Sequence, residues 1–181
     1  AAGAQRICVV SAILCAEEAV GGEHFAVALG DSVILSRQRI PPFPRMLAAY
    51  AANPAFAAIT VERVAIEDSH KYGMVKPIGL IGDESFEIAG LVEKPKPEVA
   101  PSNYAIGGRY AFDPGIFDVI RKTPAGAGGE MQITDSIALS MTEGKRVWCT
   151  PVIEGERRYD TGDFKTFCEA FVAMCLIDPE L

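Results

Sequence analysis

Residues 92–110, VEKPKPEVAPSNYAIGGRY, constrain this chain more tightly than any other segment. An apolar run (Ile88, Ala89, Leu91, Val92) ends in the adjacent pair Glu93-Lys94, a proline-broken loop follows, and a second strand-like run extends from Tyr104 to Phe112. Proline cannot donate to a strand ladder, so the loop interrupts the two runs rather than extending them. Two strands joined this way would hold a carboxylate and an ammonium group together at one edge of a sheet. Such a pair suits a ligand with hydroxyls at one end and a phosphate at the other, because Glu93 accepts from hydroxyls and Lys94 donates to phosphate. Taken alone, an adjacent Glu-Lys is ordinarily solvated surface.

The rest of the chain alternates between helical and strand patterns. Residues 11–20 predict a helix ended by Gly21-Gly22, and FAVALG (25–30) is a continuous apolar run expected as a strand covered on both faces. MLAAYAANP predicts a short helix after Pro41, Pro42 and Pro44, and residues 57–64 predict a strand. KYGMVKPIGL and FEIAGLVEK predict a hairpin around Gly82-Asp83-Glu84. Asp113-Pro114 opens the predicted helix GIFDVIRKT. PAGAGG feeds a helix that Gly144 ends, VWCTPVI is a strand, and Asp163 can cap a last helix, FKTFCEAFVAMCLI. This order predicts an α/β fold, a mixed central sheet flanked by helices, built as a single domain over residues 1–181.

Composition narrows the function classes. A net charge of −7 disfavours binding to nucleic acid or an anionic membrane surface, and no apolar run is long enough to span a bilayer. A phosphate-bearing substrate would then need local cations and a metal. The five cysteines (8, 15, 149, 168 and 175) include no C-x-x-C, and His24 and His70 stand apart. Buried thiols of a cytoplasmic protein are therefore expected, not zinc or a disulfide framework.

Several strings together resemble one family. FAVALGDSVI (25–34), KYGMV (71–75), VEKPKPEVAPSNYAIGGRY, TPAGAGGEMQITDSI (123–137) and RRYDTGD (157–163) are similar, in order and spacing, to segments of bacterial UTP–glucose-1-phosphate uridylyltransferases, within the sugar-nucleotide pyrophosphorylases. The resemblance runs from about residue 11 to about residue 176 and implies a partial nucleotide-diphospho-sugar transferase (Rossmann-like) fold. The family's opening G-x-G-T-R-x-x-P-type loop, which binds the nucleotide and carries a catalytic arginine, has no counterpart here, and Ile7–Ala12 stands where a G-L-G-H-A-like loop is usual. The chain thus looks like the carboxy-terminal two-thirds of such an enzyme.

The resemblance also implies roles. Asp31, directly after a strand, would be a metal and catalytic aspartate, and Asp160 the second carboxylate on a shared Mg²⁺. The alternative for Asp31 is a turn-forming role in Gly-Asp-Ser. Ser32 replaces the acidic or Asn residue that many relatives carry next. Glu93 would bind glucose hydroxyls, and Lys94 would contact the sugar phosphate as a catalytic cation. Gly73 would let backbone approach the sugar. Ile106 and Tyr110 either line the sugar pocket or belong to the core, as Tyr72 and Met74 are expected to. Asn103 could bond loop backbone or ligand. Gly128, Gly129 and Glu130 read as a flexible helix entry in preference to an anion site, and Arg157 and Arg158, flanking Asp160, as surface cations or as a charge offset for phosphate.

The implied reaction converts UTP and glucose-1-phosphate to UDP-glucose and pyrophosphate. The missing loop points to negligible turnover by this chain alone. Two other readings stand beside it: a non-catalytic sugar-phosphate-binding or structural remnant, and another sugar-1-phosphate nucleotidyltransferase. The absent first strand would leave an open sheet edge, so a homo-oligomer is expected, associating through residues 1–14.

Overall fold

The computed structural model describes residues 9–79, 81–126 and 131–177. Helices α1 (Val9–Cys15) and α2 (Glu17–Val20) lead to strand β1 (Phe25–Ala28), with Gly21 ending α2 in the left-handed region. Strand β2 (Ser32–Ser36), helix α3 (Pro42–Ala52) and strand β3 (Ala57–Arg63) follow. Strands β4 (Gly73–Pro77) and β5 (Phe86–Glu93) form the expected hairpin, and β6 (Tyr104–Phe112) returns after the proline loop. Helices α4 (Ile116–Lys122) and α5 (Ile133–Thr142), strands β7 (Val147–Pro151) and β8 (Glu156–Asp160), and helix α6 (Phe164–Ile177) complete the order.

Six strands form one sheet in the order β1-β6-β3-β7-β5-β4, and β4 also pairs with β6 at Met74 and Ala105. The sheet is mixed: β3 and β7 run parallel, while the other pairs are antiparallel. The five residues Ala57 to Val61 on β3 are buried without alternation, as a central strand covered on both faces requires. One face packs against α1, α4 and α5 through a large apolar core that includes Ile59, Val75, Ile106, Phe112, Ile120 and Ile137. On the other face, α3 places Met46 against Ala58 and Ala111.

Strand β1 departs from expectation. Phe25 and Val27 are half-buried and Ala26 and Ala28 exposed, because β1 lies at the sheet edge and pairs only with β6. The thiols also differ from the sequence reading: Cys149 is buried, whereas Cys15 and Cys168 are exposed. Cys8 lies outside the described residues. Among those described, no helix is long and apolar enough to cross a membrane.

A two-stranded ribbon, β2 with β8, stands apart from the main sheet and was not evident in the sequence. Arg45 on α3 anchors one end, donating to Glu156 at 2.5 and 3.0 Å and to the Pro151 carbonyl at 2.7 Å. The other end is tied to β6, where the Ser32 hydroxyl donates to the Gly107 carbonyl at 2.9 Å and Arg109 donates to the Leu29 and Ser32 carbonyls. Helix α6 then leaves the ribbon, with Asp163 Oδ1 accepting the Thr166 N–H at 2.9 Å as the amino-terminal cap.

Candidate active site

The ribbon brings together residues 129 positions apart. Register pairs Ser32 with Asp160, so Asp31 lies beside Asp160 at the end of the ribbon. The Thr161 N–H and hydroxyl both donate to the Asp31 carbonyl, at 2.7 and 3.0 Å, which locks the two turns together. Both aspartates are exposed on the wall of one cavity of about 190 Å³.

The same cavity is lined by Gly73, Glu93, Ile106 and Tyr110. Gly73 starts β4 and pairs with Glu93 at the end of β5. A Cβ at Gly73 would stand 2.9 Å from Ile106 Cδ1, 3.0 Å from Thr134 Oγ1 and 3.1 Å from Glu93 Oε2, so only glycine leaves this floor open. The Glu93 side chain is 19% exposed, and Lys94 Nζ lies 3.8 Å from its Oε1. Lys94 itself is at φ 45°, its N–H bonded to the Tyr72 carbonyl, and its side chain is 55% exposed outside the cavity wall. That left-handed backbone is uncommon for a residue bearing a side chain.

Burial governs the ionisable groups here. Tyr110 is pushed above the usual phenol range by burial first and by Glu93 second, which keeps it a neutral hydrogen-bond donor. Desolvation lowers Arg109, against the attraction of Asp31. Burial raises the Glu62 carboxyl while Arg158 pulls it back down.

Some cavity residues were not expected from the sequence. Tyr72 is a wall residue, whereas Met74 is fully buried in the core. Arg158 is not surface: its side chain is 7% exposed, its Nε donates to Glu62, and its guanidinium carbon lies 5.3 Å from the Tyr72 ring. Arg157 is exposed, as expected. Lys71, Gly108, Gln132 and Thr134 also line the wall. The Gln-Ile-Thr string at the start of α5 was the available signal for Gln132 and Thr134. Asn103 is exposed and gives its carbonyl to the Val64 N–H. Gly128, Gly129 and Glu130 lie outside the described residues.

Chemically, the cavity offers two neighbouring exposed carboxylates, a third on the opposite strand pair and an apolar floor. Among the described residues no group of three or more His, Cys, Asp or Glu side chains converges as a metal cage. Magnesium asks for less, one or two carboxylates with water and phosphate oxygens completing its shell, and Asp31 with Asp160 fits that demand.

Known proteins resemble the chain along nearly its whole length. UTP–glucose-1-phosphate uridylyltransferases from Staphylococcus epidermidis and Bacillus subtilis are each 37% identical over 170 residues, covering 94% of this chain. The chain spans only 57% and 56% of those proteins' lengths. A crystal structure of UDP-glucose pyrophosphorylase complexed with UDP-glucose superposes with a TM-score of 0.85 at 32% identity, over 97% of this chain and 64% of that one. A UTP-bound enzyme from Acinetobacter baumannii gives 0.86 at 31% identity, over 98% and 59%. The family pattern described as nucleotidyl transferase matches residues 7–175, and the chain belongs to the nucleotidyl transferase family.

Proposed function

We propose that this chain carries the sugar-phosphate and metal half of a UTP–glucose-1-phosphate uridylyltransferase site, built as one domain. The observation that carries the reading is that Asp31, Gly73, Glu93, Ile106, Tyr110 and Asp160 line one cavity. In that site Glu93 accepts hydrogen bonds from the glucose hydroxyls, Gly73 admits the ring against the backbone, and Ile106 and Tyr110 wall its far side. Lys94, 3.8 Å from Glu93 and half exposed, meets the phosphate as a point charge. Asp31 and Asp160 hold Mg²⁺, which when bound offsets charge on the phosphate oxygens.

The proposed transfer joins a glucose-1-phosphate oxygen to the α-phosphorus of UTP and breaks the α–β bridge, so pyrophosphate leaves. Such transfers rest on in-line positioning and charge neutralisation more than on covalent help. These 181 residues include no G-x-G-T-R loop for the triphosphate. Turnover by this chain alone is therefore expected to be negligible, with glucose-1-phosphate binding retained. Calorimetric titration with glucose-1-phosphate tests the half-site: wild type binds, and E93Q weakens binding about tenfold, as loss of a charged hydrogen-bond acceptor predicts. Equal affinities would refute the role of Glu93. Pyrophosphate release from UTP, glucose-1-phosphate and Mg²⁺ at a robust rate would refute the expected inactivity.

The proposal includes self-association and a cytoplasmic setting, which the exposed thiols of Cys15 and Cys168 fit. Of residues 1–14, the first eight lie outside the described residues; the support for self-association comes from helix α6. Its Phe164, Phe167, Phe171 and Met174 recur at heptad spacing and are 83, 53, 62 and 48% exposed, and only Ala170 on this helix is buried.

A further inference from the structure

The Arg158 guanidinium stands between two carboxylates. Its Nε donates to Glu62 Oε1 in close contact, whereas its Nη1 lies 3.8 Å from Asp160 Oδ2, within ion-pair range but beyond a hydrogen bond. The two acids sit on different bodies, Glu62 on β3 of the main sheet and Asp160 at the end of β8 in the ribbon. Solvent separates them too. The Glu62 and Arg158 side chains are 16% and 7% exposed, and Asp160 is 49% exposed. Attraction between charges strengthens as water is excluded, so the guanidinium is committed to Glu62 and only leans toward Asp160.

We propose, resting on the reading of Asp31 and Asp160 as cation ligands, that Glu62 is a positioning residue. By engaging Arg158 it keeps the guanidinium from capturing Asp160, so that Asp160 stays open to a divalent cation. Freed from Glu62, Arg158 has about 1 Å to close before a charge-assisted hydrogen bond to Asp160 forms. An incoming cation must then displace it. Glu62 thus acts on the site through Arg158, without touching substrate or metal.

The test is Mn²⁺ titration of the 181-residue chain, followed by the resonance of the free ion. Wild type binds Mn²⁺ and D160N weakens binding. E62Q weakens it about fivefold, the size of a competing partly exposed ion pair. Removing the competitor as well, in E62M/R158M, restores affinity to within about twofold of wild type, since a buried pair replaced by apolar groups is tolerated. A purely structural role for the pair predicts instead that the double variant binds as weakly as E62Q or worse, and that result overturns the proposal. So does an E62Q variant with wild-type affinity. If E62Q does not fold, the double variant set against wild type decides alone. Wild type that binds no more Mn²⁺ than D31N/D160N sinks the metal reading and this inference with it, whereas the other failures leave that reading intact.

Discussion

Replacing Gly73 by alanine isolates the close approach on which the sugar site depends. Gly73 is not in the left-handed region, so alanine costs nothing in backbone strain, and the effect comes from space alone. The new methyl would meet Ile106 Cδ1 at 2.9 Å, Thr134 Oγ1 at 3.0 Å and Glu93 Oε2 at 3.1 Å. All three must shift, and overpacking of this kind costs roughly 1–3 kcal/mol. Restricting the unfolded chain returns about 0.4–1 kcal/mol, leaving a net loss of about 1–2 kcal/mol. For a chain of this size that lowers the unfolding midpoint by roughly 2–8 °C. Gly90 on β5 is the control: its added Cβ would meet only Lys76 Cβ at 4.0 Å, so G90A keeps the unfolded-state gain without the clash. Urea and thermal unfolding of both variants, with glucose-1-phosphate calorimetry, provide the measurement. G73A should be less stable than wild type and bind the sugar phosphate at least about tenfold more weakly, because Glu93 is displaced. A G73A protein as stable as G90A with unchanged affinity would show that no close approach operates at Gly73.

Three further outcomes follow from particular side chains. Burial, and secondarily Asp113, raises the Tyr50 phenol to about 12, so the unfolded chain loses this proton first as pH rises. Stability from Tyr50 is complete below pH of about 10 and declines as pH climbs toward about 12. In Y50F the fall in urea midpoint over that window should be smaller, and an unchanged fall would contradict the assignment. Burial alone holds the Cys149 thiol protonated. A thiol-reactive disulfide reagent should therefore modify Cys15 and Cys168 in the native protein and Cys149 only after denaturation; native labelling of Cys149 at the rate of Cys168 would contradict this. Changing Phe164, Phe167 and Phe171 together to serine should lower the mass measured by sedimentation if α6 joins two copies, and an unchanged mass would remove α6 as the interface.

The elements legible in the sequence are those with local signatures. The Gly82-Asp83-Glu84 hairpin, the helix stops at Gly21 and Gly144, and the Asp163 cap all rest on residues adjacent in the chain. Strand β3 was legible because five successive apolar or small residues are covered on both faces. The β2–β8 ribbon was not, since Ser32 pairs with Asp160 across most of the chain and Glu156-Arg157-Arg158-Tyr159-Asp160 has no strand-like apolar pattern. The same blindness affected Arg158, whose burial depends on Glu62 arriving from β3. Strand β1 misled in the other direction: a continuous apolar run promised two covered faces, but its place at the sheet edge leaves Ala26 and Ala28 exposed. At the site, Asp31, Gly73, Glu93, Ile106, Tyr110 and Asp160, the residues that motif resemblance named, line one cavity, whereas Lys94 is not on its wall and lies 3.8 Å from Glu93. The wall residues Lys71, Tyr72 and Gln132 lie inside quoted motifs (71–75 and 123–137), but nothing local marks which of their side chains face the cavity.

In the proposed site a divalent ion and the sugar phosphate are bound together. Calorimetry of glucose-1-phosphate with and without Mg²⁺, on wild type and on D31N/D160N, measures that coupling directly. Mg²⁺ should tighten binding to wild type by about fivefold or more and leave the double variant unchanged. Equal enhancement in both proteins, or none in wild type, would contradict it.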